Sequence, residues 1–295
     1  MRWNGGMSAL VPAPFPAPGI ELPGGGTIPQ LGFGTYKLTP DQTEAAVVAA
    51  LELGYRHIDT ATMYGNEREV GRALASSGIP REEIFLATKL NNPDHEPQAA
   101  RDAFARSLDD LGVERVDLYL IHWPMPRTTD YVATWRTLTE FLDDGRARAI
   151  GVSNFHAEHL RAVVKETGVT PAVNQVEVTP YLTQEPLRAV HRELGIVTEA
   201  WSPLARGQVL EDPVVLGLAA RLGCTPAQLV LAWHLQRGDV IFPKSTSTAR
   251  MRDNAGALEV VRAGIVDAEV MAALSGLNQD RRVGSSPDDV ELGTR

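Results

Sequence analysis

The sequence lacks several features that would assign it to a particular class of protein. Its single cysteine, Cys224, cannot form an intrachain disulfide and stands outside any zinc-binding spacing, which is typical of a reducing compartment. No apolar run reaches the about 18 residues of a membrane helix, and the N-terminus lacks the continuous apolar segment of a signal peptide. We therefore expect a cytoplasmic protein without a membrane partner.

The chain also lacks any cluster of basic residues interleaved with aromatics. Its 28 lysines and arginines are dispersed and are outnumbered by 37 aspartates and glutamates, which gives a formal net charge of -9. This charge would repel a nucleic-acid backbone, so nucleic acid is not expected as a partner. The composition, with 43% hydrophobic and 22% charged residues, is instead that of a globular protein with a large core.

No G-x-G-x-x-G fingerprint follows an apolar run, and this absence argues against an open dinucleotide-binding sheet. The chain does contain eight apolar runs that alternate with helical patterns, without a linker that would divide it. The runs are 32–35, 56–60, 83–90, 116–123, 147–154, 172–178, 196–203 and 239–245. Several are apolar throughout, as a parallel sheet buried on both faces requires. We therefore predict a single α/β domain over residues 1–295, folded as a (β/α)8 TIM barrel.

Segments outside the eight-fold pattern are assigned separately. The consecutive glycines Gly24 to Gly26 are followed by extended chain, so they predict the turn of a β-hairpin that closes the bottom of the barrel, in preference to a phosphate loop. Residues 1–19 are expected to be a loose leader, residues 267–275 an extra C-terminal helix, and residues 281–295 a flexible C-terminal tail. Because the sequence offers no obvious apolar assembly surface, a monomer is expected.

Three ionisable side chains stand at the ends of neighbouring predicted strands. Asp59 ends the second apolar run, Lys89 the third and His122 the fourth. The carboxyl ends of barrel strands form the functional face, and adjacent strands lie only about 4.8 Å apart, so these groups should converge on one rim. Each could be structural if taken alone, as a turn cap, a surface-reaching lysine or a core histidine. The convergence of all three favours catalysis.

The phenol of Tyr64, in the loop after the second run, supplies a candidate proton donor. A phenol has an ordinary pKa of about 10, too high for efficient donation at neutral pH unless a nearby cation stabilises the phenolate. Lys89 can supply that cation, and Asp59 can keep it charged near the core. His122, expected to be neutral, would orient the substrate oxygen. The four side chains are therefore predicted to catalyse the conversion of a carbonyl into an alcohol.

The chain resembles the aldo-keto reductase family in a series of stretches that occur in order. These are GFGTY, HIDTATMYGNE, TKL, IHWP, GVSNF, NQVE, WSPLARG and IFPKS, and the WSPLARGQVLEDP segment resembles the prokaryotic 2,5-diketo-D-gluconic acid reductase type. The resemblance covers residues 31–274 and places Asp59, Tyr64, Lys89 and His122 at the family's catalytic positions. It implies hydride transfer from NADPH to an aldehyde or ketone, with Tyr64 as the general acid.

Polar residues at the remaining strand ends fit the nicotinamide half of this cofactor. Ser153, Asn154 and Gln175 offer the donors and acceptors that a carboxamide needs, and the flat ring of Trp201 can stack on a nicotinamide. The resemblance assigns the nicotinamide to these residues. Contacts with other parts of the cofactor are predicted for Thr35, Ser202 and Leu204.

A basic cluster follows the eighth run, where barrels of this type often bind phosphate. Lys244, Ser245 and Arg250 can together form charge-assisted hydrogen bonds with a 2′-phosphate, which predicts a preference for NADPH over NADH. By resemblance, Asp253 and Asn254 face the adenine. The sequence contains no metal-binding motif, and no metal is expected.

Aromatic residues near the predicted rim indicate a substrate pocket. Tyr36 and Trp123 are predicted to bind substrate, whereas Trp135 lies in a helical pattern and is assigned to the core. Short loops favour an open site that accepts small dicarbonyls, keto-sugars and aromatic aldehydes. Two alternatives stay open: a non-catalytic NADPH-binding regulatory barrel, and a hydrolase that uses Asp59 and His122 without a nucleotide.

Overall fold

The computed structural model describes residue 15 and residues 17–292. Two short strands come first, β1 (Gly19–Glu21) and β2 (Thr27–Pro29). The barrel strands are β3 (Phe33–Gly34), β4 (His57–Asp59), β5 (Phe85–Leu90), β6 (Val116–Ile121), β7 (Ala147–Ser153), β8 (Val173–Glu177), β9 (Val197–Trp201) and β10 (Val240–Ile241). The α-helices are α1 (Pro40–Leu53), α2 (Glu67–Ser76), α3 (Pro97–Leu111), α4 (Tyr131–Asp143), α5 (Ala157–Thr167), α6 (Glu185–Leu194), α7 (Pro213–Leu222), α8 (Pro226–Gln236), α9 (Thr248–Ala255), α10 (Ala257–Arg262) and α11 (Ala268–Ser275). Short 3-10 helices cover Thr62–Tyr64, Arg81–Glu83, Asn92–Asp94 and Ala205–Glu211.

The eight barrel strands are parallel and pair in chain order from β3 to β10. A bridge between Leu31 and Ile241 brings the two edges of the sheet together, so the barrel is nearly closed. The main apolar core lies between the outside of the sheet and the surrounding helices. Trp135 belongs to this core, fully buried, with its indole N–H donated to the Val169 carbonyl oxygen at 3.2 Å. The predicted (β/α)8 barrel is confirmed, and each predicted apolar run contains one of its strands.

Local sequence signals explain where helices begin. At the start of α8, the Thr225 hydroxyl accepts from the N–H of Gln228, and the Gln228 side chain accepts in return from the N–H of Thr225, both at 3.1 Å. Pro226 occupies the first helical position, where its missing N–H costs nothing. The same arrangement, with a longer 3.5 Å return bond, starts α1 after Thr39.

The N-terminal hairpin closes one end of the barrel, as predicted. Gly24, Gly25 and Gly26 all have positive φ, from 88° to 104°, which allows the tight return from β1 to the antiparallel β2. Leu22 and Ile28 on this hairpin are buried in a cluster with inward-facing residues of the barrel strands. The hairpin therefore fills the amino-terminal end of the barrel with apolar side chains.

The interior of the barrel changes from apolar to polar along the strand direction. Ala87 on β5 and Val173 on β8 belong to the cluster beneath the hairpin. Because every second residue of a strand points to the same face, Lys89 and Gln175 share that inward face two residues further on. The polar side chains thus collect toward the carboxyl ends of the strands, away from the hairpin.

The segments outside the barrel are the predicted leader, the extra helix and the tail. The extra C-terminal helix is confirmed as α11. Of the predicted loose leader, residues 1–14 and 16 lie outside the described residues. Phe15 packs edge-on against Tyr55 with ring centroids 5.0 Å apart, and Gly19 already pairs with β2. Over the described part of the chain, no single helix has the length and apolar composition of a membrane span; α7 and α8 reach them only as a pair bent by 91°.

Candidate active site

Asp59 and Lys89 form a buried ion pair at the carboxyl ends of β4 and β5. The Lys89 ammonium donates to the two carboxylate oxygens of Asp59 at 2.8 and 2.9 Å and to the Thr60 carbonyl oxygen at 2.7 Å. Burial acts to lower the pKa of Lys89, but Asp59 acts in the opposite direction through its charge and its hydrogen bonds, and the resulting pKa lies above its ordinary value. This ion pair agrees with the expectation that Asp59 keeps Lys89 charged.

Tyr64 ends a short 3-10 helix directly after β4, and its ring lies beside this ion pair. The Lys89 ammonium is 5.2 Å from the centroid of the ring. Burial raises the pKa of Tyr64 to about 12, while Lys89 acts to lower it. The expectation that Lys89 stabilises the phenolate is right in direction, but the expectation of a net more acidic phenol is wrong for this structure, because desolvation is the larger effect.

His122 follows β6 and completes the predicted group of four. Its ring packs edge-on against the ring of Tyr64, with centroids 5.8 Å apart. Burial, assisted by the charge of Lys89, places the pKa of His122 well below its ordinary value, so the imidazole is neutral as predicted. Its buried Nδ1 has no hydrogen-bond partner among the described residues. The structure thus brings Asp59, Tyr64, Lys89 and His122 together at one rim.

A buried asparagine that sequence reasoning did not single out holds the loop of Tyr64. The Asn66 amide donates to the carbonyl oxygens of Thr35 and Leu38 at 3.2 Å, and its oxygen accepts from the Thr60 hydroxyl at 3.1 Å. These bonds connect the loops after β3 and β4. The only signal in the sequence is an asparagine between a turn glycine and a helix start.

The predicted cofactor contact of Thr35 needs correction. Its side chain is fully buried, and its hydroxyl donates to Thr60 Oγ1 at 2.9 Å. Its N–H donates to the carbonyl oxygen of Asp59 at 3.0 Å. Because Thr35 has no exposed surface, it supports the strand end that carries Asp59 and offers a nucleotide no contact.

Ser153 and Asn154 stand together at the end of β7. Asn154 has a left-handed backbone with φ of 64°, and its amide donates to the His122 carbonyl oxygen and to Ser153 Oγ, both at 3.0 Å. Its side-chain oxygen accepts from the indole N–H of Trp201 at 2.9 Å, and Ser153 Oγ donates to the Gln175 carbonyl oxygen at 2.8 Å. The predicted carboxamide-binding residues therefore form one connected polar cluster beside the catalytic four.

Gln175 connects this cluster to the ion pair. Its amide nitrogen donates to Asp59 Oδ2 at 2.9 Å and to Glu199 Oε2 at 2.8 Å. Both amide hydrogens are thus used inside the barrel, which leaves the amide oxygen as the group for a ligand carboxamide. Glu199 was not among the predicted site residues, although an acid inside the apolar run before Trp201 was a signal.

Trp201 ends β9 and is partly exposed, and the C-terminal tail lies against it. A Cβ added to Gly284 would stand 2.3 Å from Cη2 of the Trp201 ring, so the tail backbone touches the edge of the indole. The buried carboxylate of Glu177 on β8 accepts from the N–H groups of Val283 at 2.6 Å and Gly284 at 3.0 Å. A carboxylate that the sequence analysis did not single out therefore attaches the tail here; the predicted flexibility of residues 281–295 stays a prediction.

The loop after Trp201 winds tightly and presents Ser202 and Leu204, both partly exposed. Ser202, Ala205 and Arg206 all have left-handed backbones, with φ of 52°, 48° and 55°. Such conformations cost about 1–3 kcal/mol each for ordinary residues and tend to occur at functional sites. The loop that carries the predicted cofactor contacts Ser202 and Leu204 is thus a compact, strained turn next to Trp201.

The basic cluster after β10 is gathered at the start of α9. Lys244 and Arg250 are exposed, while Ser245 is buried, and Arg250 Nε donates to Ser245 Oγ at 3.4 Å. The N-cap residue of α9, Ser247, accepts from the Arg250 N–H. Cationic side chains and a helix N-terminus therefore face the same region, which suits a phosphate.

Asp253 and Asn254 lie further along α9. The carboxylate oxygens of Asp253 accept from the Thr225 hydroxyl at 3.1 and 3.2 Å, so this side chain also stabilises the start of α8. Asn254 is only 6% exposed. Their predicted contact with adenine stays a prediction.

The rim of the site is aromatic and open. Tyr36 is 49% exposed, and its ring centroid lies 5.1 Å from that of Tyr64. Trp123 stacks beside His122, and Met63, which was not singled out from the sequence, adds a 43% exposed apolar side chain next to Tyr64. Within residues 15 and 17–292, no group of three or more histidine, cysteine, aspartate or glutamate side chains could hold a metal ion.

Comparison with known proteins agrees with this geometry. The model of the Aldo/keto reductase family matches residues 30–278. An aldo-keto reductase of Mycolicibacterium smegmatis is 47% identical over 271 residues, which cover 92% of this chain and 97% of that protein. An aldo-keto reductase of Mycobacterium bovis is 46% identical over the same length, covering 92% of this chain and 95% of that protein.

Solved structures give the same result. The apo form of Gox0644 is 40% identical with a TM-score of 0.89 over 94% of this chain and 99% of that chain, and a mutant of Gox0644 in complex with NADPH has a TM-score of 0.88. An aldo-keto reductase of Bombyx mori in complex with NADP is 36% identical with a TM-score of 0.85, covering 93% and 98% of the two chains. On the extent of these matches, together with the site geometry, the chain belongs to the Aldo/keto reductase family.

Proposed function

We propose that this protein reduces aldehydes and ketones to alcohols, with NADPH as the hydride donor and Tyr64 as the proton donor. The observation that carries the proposal is the Lys89 ammonium, fixed by Asp59 at 2.8 and 2.9 Å and located 5.2 Å from the Tyr64 ring centroid. The complexes of Gox0644 with NADPH and of the Bombyx mori protein with NADP support the choice of cofactor.

The donor and acceptor set of this chain fits NADPH at both ends. Asn154 and the oxygen of Gln175 suit a carboxamide beside the flat ring of Trp201. Lys244 and Arg250 are exposed cations that suit a 2′-phosphate. Ser153, Ser202, Leu204, Ser245, Asp253 and Asn254 would complete the cofactor contacts.

The residues of this chain then have distinct roles in the reaction. When bound, NADPH supplies the hydride for the carbonyl carbon. His122, neutral because it is buried beside Lys89, orients the carbonyl oxygen without adding a full charge. Tyr64 gives its phenolic proton to the alkoxide oxygen, and the Lys89 ammonium stabilises the phenolate that remains. Asp59 keeps Lys89 charged through this change.

The open rim supports a broad range of small carbonyl substrates. Tyr36 and Met63 leave 49% and 43% of their surfaces exposed, and Trp123 adds a flat face. Such a surface favours weak contacts with small dicarbonyls, keto-sugars and aromatic aldehydes over one tightly enclosed substrate. A cytoplasmic location and a monomeric state remain predictions from the sequence.

The test is a spectrophotometric assay of NADPH consumption with methylglyoxal and a nitrobenzaldehyde, with NADH in parallel. We expect both compounds to be reduced, with NADPH used in preference to NADH. Quenching of tryptophan fluorescence by NADPH without turnover across a wider carbonyl panel would instead support a non-catalytic cofactor-binding barrel. The absence of any nucleotide effect would contradict the proposal altogether.

A further inference from the structure

A row of buried polar side chains continues from the ion pair down into the barrel. Gln175, on β8, lies between Asp59 and Glu199, with its amide nitrogen 2.9 Å from Asp59 Oδ2 and 2.8 Å from Glu199 Oε2. Glu199, on β9, faces His57, with 3.8 Å between Glu199 Oε1 and His57 Nε2. The four side chains of the row, Asp59, Gln175, Glu199 and His57, are at most 2% exposed. The row therefore connects the catalytic rim to the base of the barrel without contact with solvent.

The hydrogen bond at the base of the row fixes the tautomer of His57. His57 Nδ1 lies 3.1 Å from the carbonyl oxygen of Pro29 on β2. A carbonyl oxygen can only accept, so Nδ1 must carry the hydrogen. In a neutral imidazole, Nε2 is then an unprotonated acceptor. Space for this ring comes from Gly32, where an added Cβ would stand 2.6 Å from His57 Nδ1.

The same reasoning assigns a proton to Glu199. Its Oε2 already accepts from Gln175, so Oε1 is the oxygen left to carry a hydrogen. That oxygen and His57 Nε2 are both buried without a hydrogen-bond partner among the described residues, and they face each other. An ionised Glu199 would place its charge against the lone pair of Nε2, whereas a protonated Oε1 presents a donor to an acceptor.

The charges around Glu199 agree with the neutral form. Asp59 on β4 and Lys89 on β5 are the charged groups that act on Glu199, and His57 faces it from β4. Gln175 and Val240 are its paired neighbours on β8 and β10. Burial, then the charge of Asp59, raises the pKa of Glu199 to about 8, against the weaker opposite effects of Gln175 and Lys89. Burial also lowers the pKa of His57 to about 4. The pair is therefore neutral at pH 7.

We propose that Glu199 is a positioning residue for the reduction, held as a neutral acid that fixes the Gln175 amide against Asp59. A neutral Glu199 adds no second negative charge to that of Asp59 near Lys89, so the ammonium keeps its effect on the Tyr64 phenol. The neutral Glu199 also turns the Gln175 amide oxygen toward the proposed position of the nicotinamide carboxamide. Ionisation of Glu199 would add a second negative charge to the row, raise the pKa of Tyr64 and make it a weaker acid. This inference rests on the proposed reductase function.

The kinetic test compares Glu199→Gln and Glu199→Leu with wild type across the pH range. Glutamine keeps the size and neutrality of the protonated acid, so we expect near wild-type kcat at pH 7. The wild-type kcat should fall about threefold to tenfold as pH rises through about 8, because Tyr64 becomes a weaker general acid. This fall should be absent in Glu199→Gln. In Glu199→Leu, kcat at pH 7 should drop about tenfold, with a smaller change in KM, because Gln175 loses its acceptor.

A matched control is Glu177→Gln, which changes another buried acid that faces the tail and not Asp59. It should keep the alkaline fall in kcat. A fall that persists unchanged in Glu199→Gln, or a Glu199→Gln variant as impaired at pH 7 as Glu199→Leu, would overturn the proposal.

A second measurement does not depend on turnover. The infrared carbonyl band of a protonated carboxylic acid should be present in wild type labelled with ¹³C-glutamate at pH 7 and should decrease as pH rises through about 8. In Glu199→Gln, that pH-dependent component should be missing. If the component is absent from wild type, Glu199 is not the neutral acid and the inference fails. If it is present but no carbonyl compound is reduced, the proposed function fails, and with it the role of Glu199 in catalysis.

Discussion

At the residue scale, the functional geometry depends on a lysine placed where an isolated charge would be very unfavourable. Lys89 is fully buried, and its three N–H groups have three acceptors, two on Asp59 and one on Thr60. Removing one partner of such a pair typically costs about 3–5 kcal/mol, because the other charge stays buried. Nearby Tyr64 has its pKa raised to about 12, so it is protonated throughout the neutral range. The phenol therefore carries the proton that reduction requires, and the nearby charge of Lys89 favours its release.

Tyr64→Phe should abolish most of the reduction while leaving NADPH binding nearly unchanged. The substitution removes the phenolic proton beside Lys89 but none of the proposed cofactor contacts. We expect kcat to fall by at least about a hundredfold, the usual scale of a lost general acid, and NADPH affinity to change by less than about twofold. Steady-state kinetics and fluorescence titration measure the two quantities.

Tyr36→Phe is the matched control for this prediction. Tyr36 carries a second phenol whose ring lies 5.1 Å from that of Tyr64, but it is 49% exposed at the rim. Its loss should alter KM more than kcat. Wild-type kcat in Tyr64→Phe would refute the assignment of the proton donor.

At the element scale, we propose that the start of α9 decides which nucleotide is preferred. The helix begins after the N-cap residue Ser247, and Arg250 lies in its first turn with its guanidinium against Ser245. Lys244 precedes it on the same loop. Cations at a helix N-terminus suit a doubly charged phosphate, because the N–H groups there also favour anions. NADH has an uncharged ribose hydroxyl at this position, which cannot form the same charge-assisted hydrogen bonds.

Arg250→Ala should therefore weaken NADPH far more than NADH. Loss of one charge-assisted hydrogen bond of about 1.5–3 kcal/mol corresponds to an increase of about tenfold to a hundredfold in the KM for NADPH. The KM for NADH should change by about twofold at most. Arg252→Ala removes the same charge from an exposed position of the same helix and should affect neither nucleotide strongly. Equal weakening of NADPH and NADH in Arg250→Ala would mean that the 2′-phosphate is recognised elsewhere.

At the scale of the whole molecule, buried histidines link stability to pH. Burial lowers the pKa of His57, His95 and His191 to about 4 each. In the unfolded chain these groups take up protons near pH 6.5, so the unfolded state binds more protons than the folded state between about pH 6.5 and 4. The three neutral, buried histidines therefore contribute fully to the free energy of unfolding above pH 6.5, and this contribution is lost as pH falls toward 4. The buried acids Glu67 and Glu199, whose pKa values are raised, act in the opposite direction but are fewer.

We expect the free energy of unfolding to decrease between pH 7 and pH 5, and His95→Gln to reduce that decrease by about 2 kcal/mol. His95 suits this test because burial alone causes its pKa shift. Urea denaturation at several pH values measures the effect. An unfolding free energy of His95→Gln that follows pH as wild type does would contradict the expectation.

The sequence by itself determined the order of the strands, the hairpin, the extra helix and the positions of the four catalytic candidates. These features depend on local signals: apolar runs, glycines before an extended segment, and polar residues where a strand ends. In a closed parallel sheet, the ends of neighbouring strands must meet at one rim, so Asp59, Lys89 and His122 could be placed together without coordinates.

Only the tertiary structure decided how these side chains are surrounded. The sequence shows that Lys89 can act on Tyr64, but the net pKa of the phenol depends on burial by residues distant in the chain. Likewise, Thr35 proved to be buried, the tail is attached through Glu177, and Glu199 faces His57 across 142 residues of sequence. Desolvation and hydrogen-bond partnership arise from the register of strands across the barrel, which no local pattern specifies.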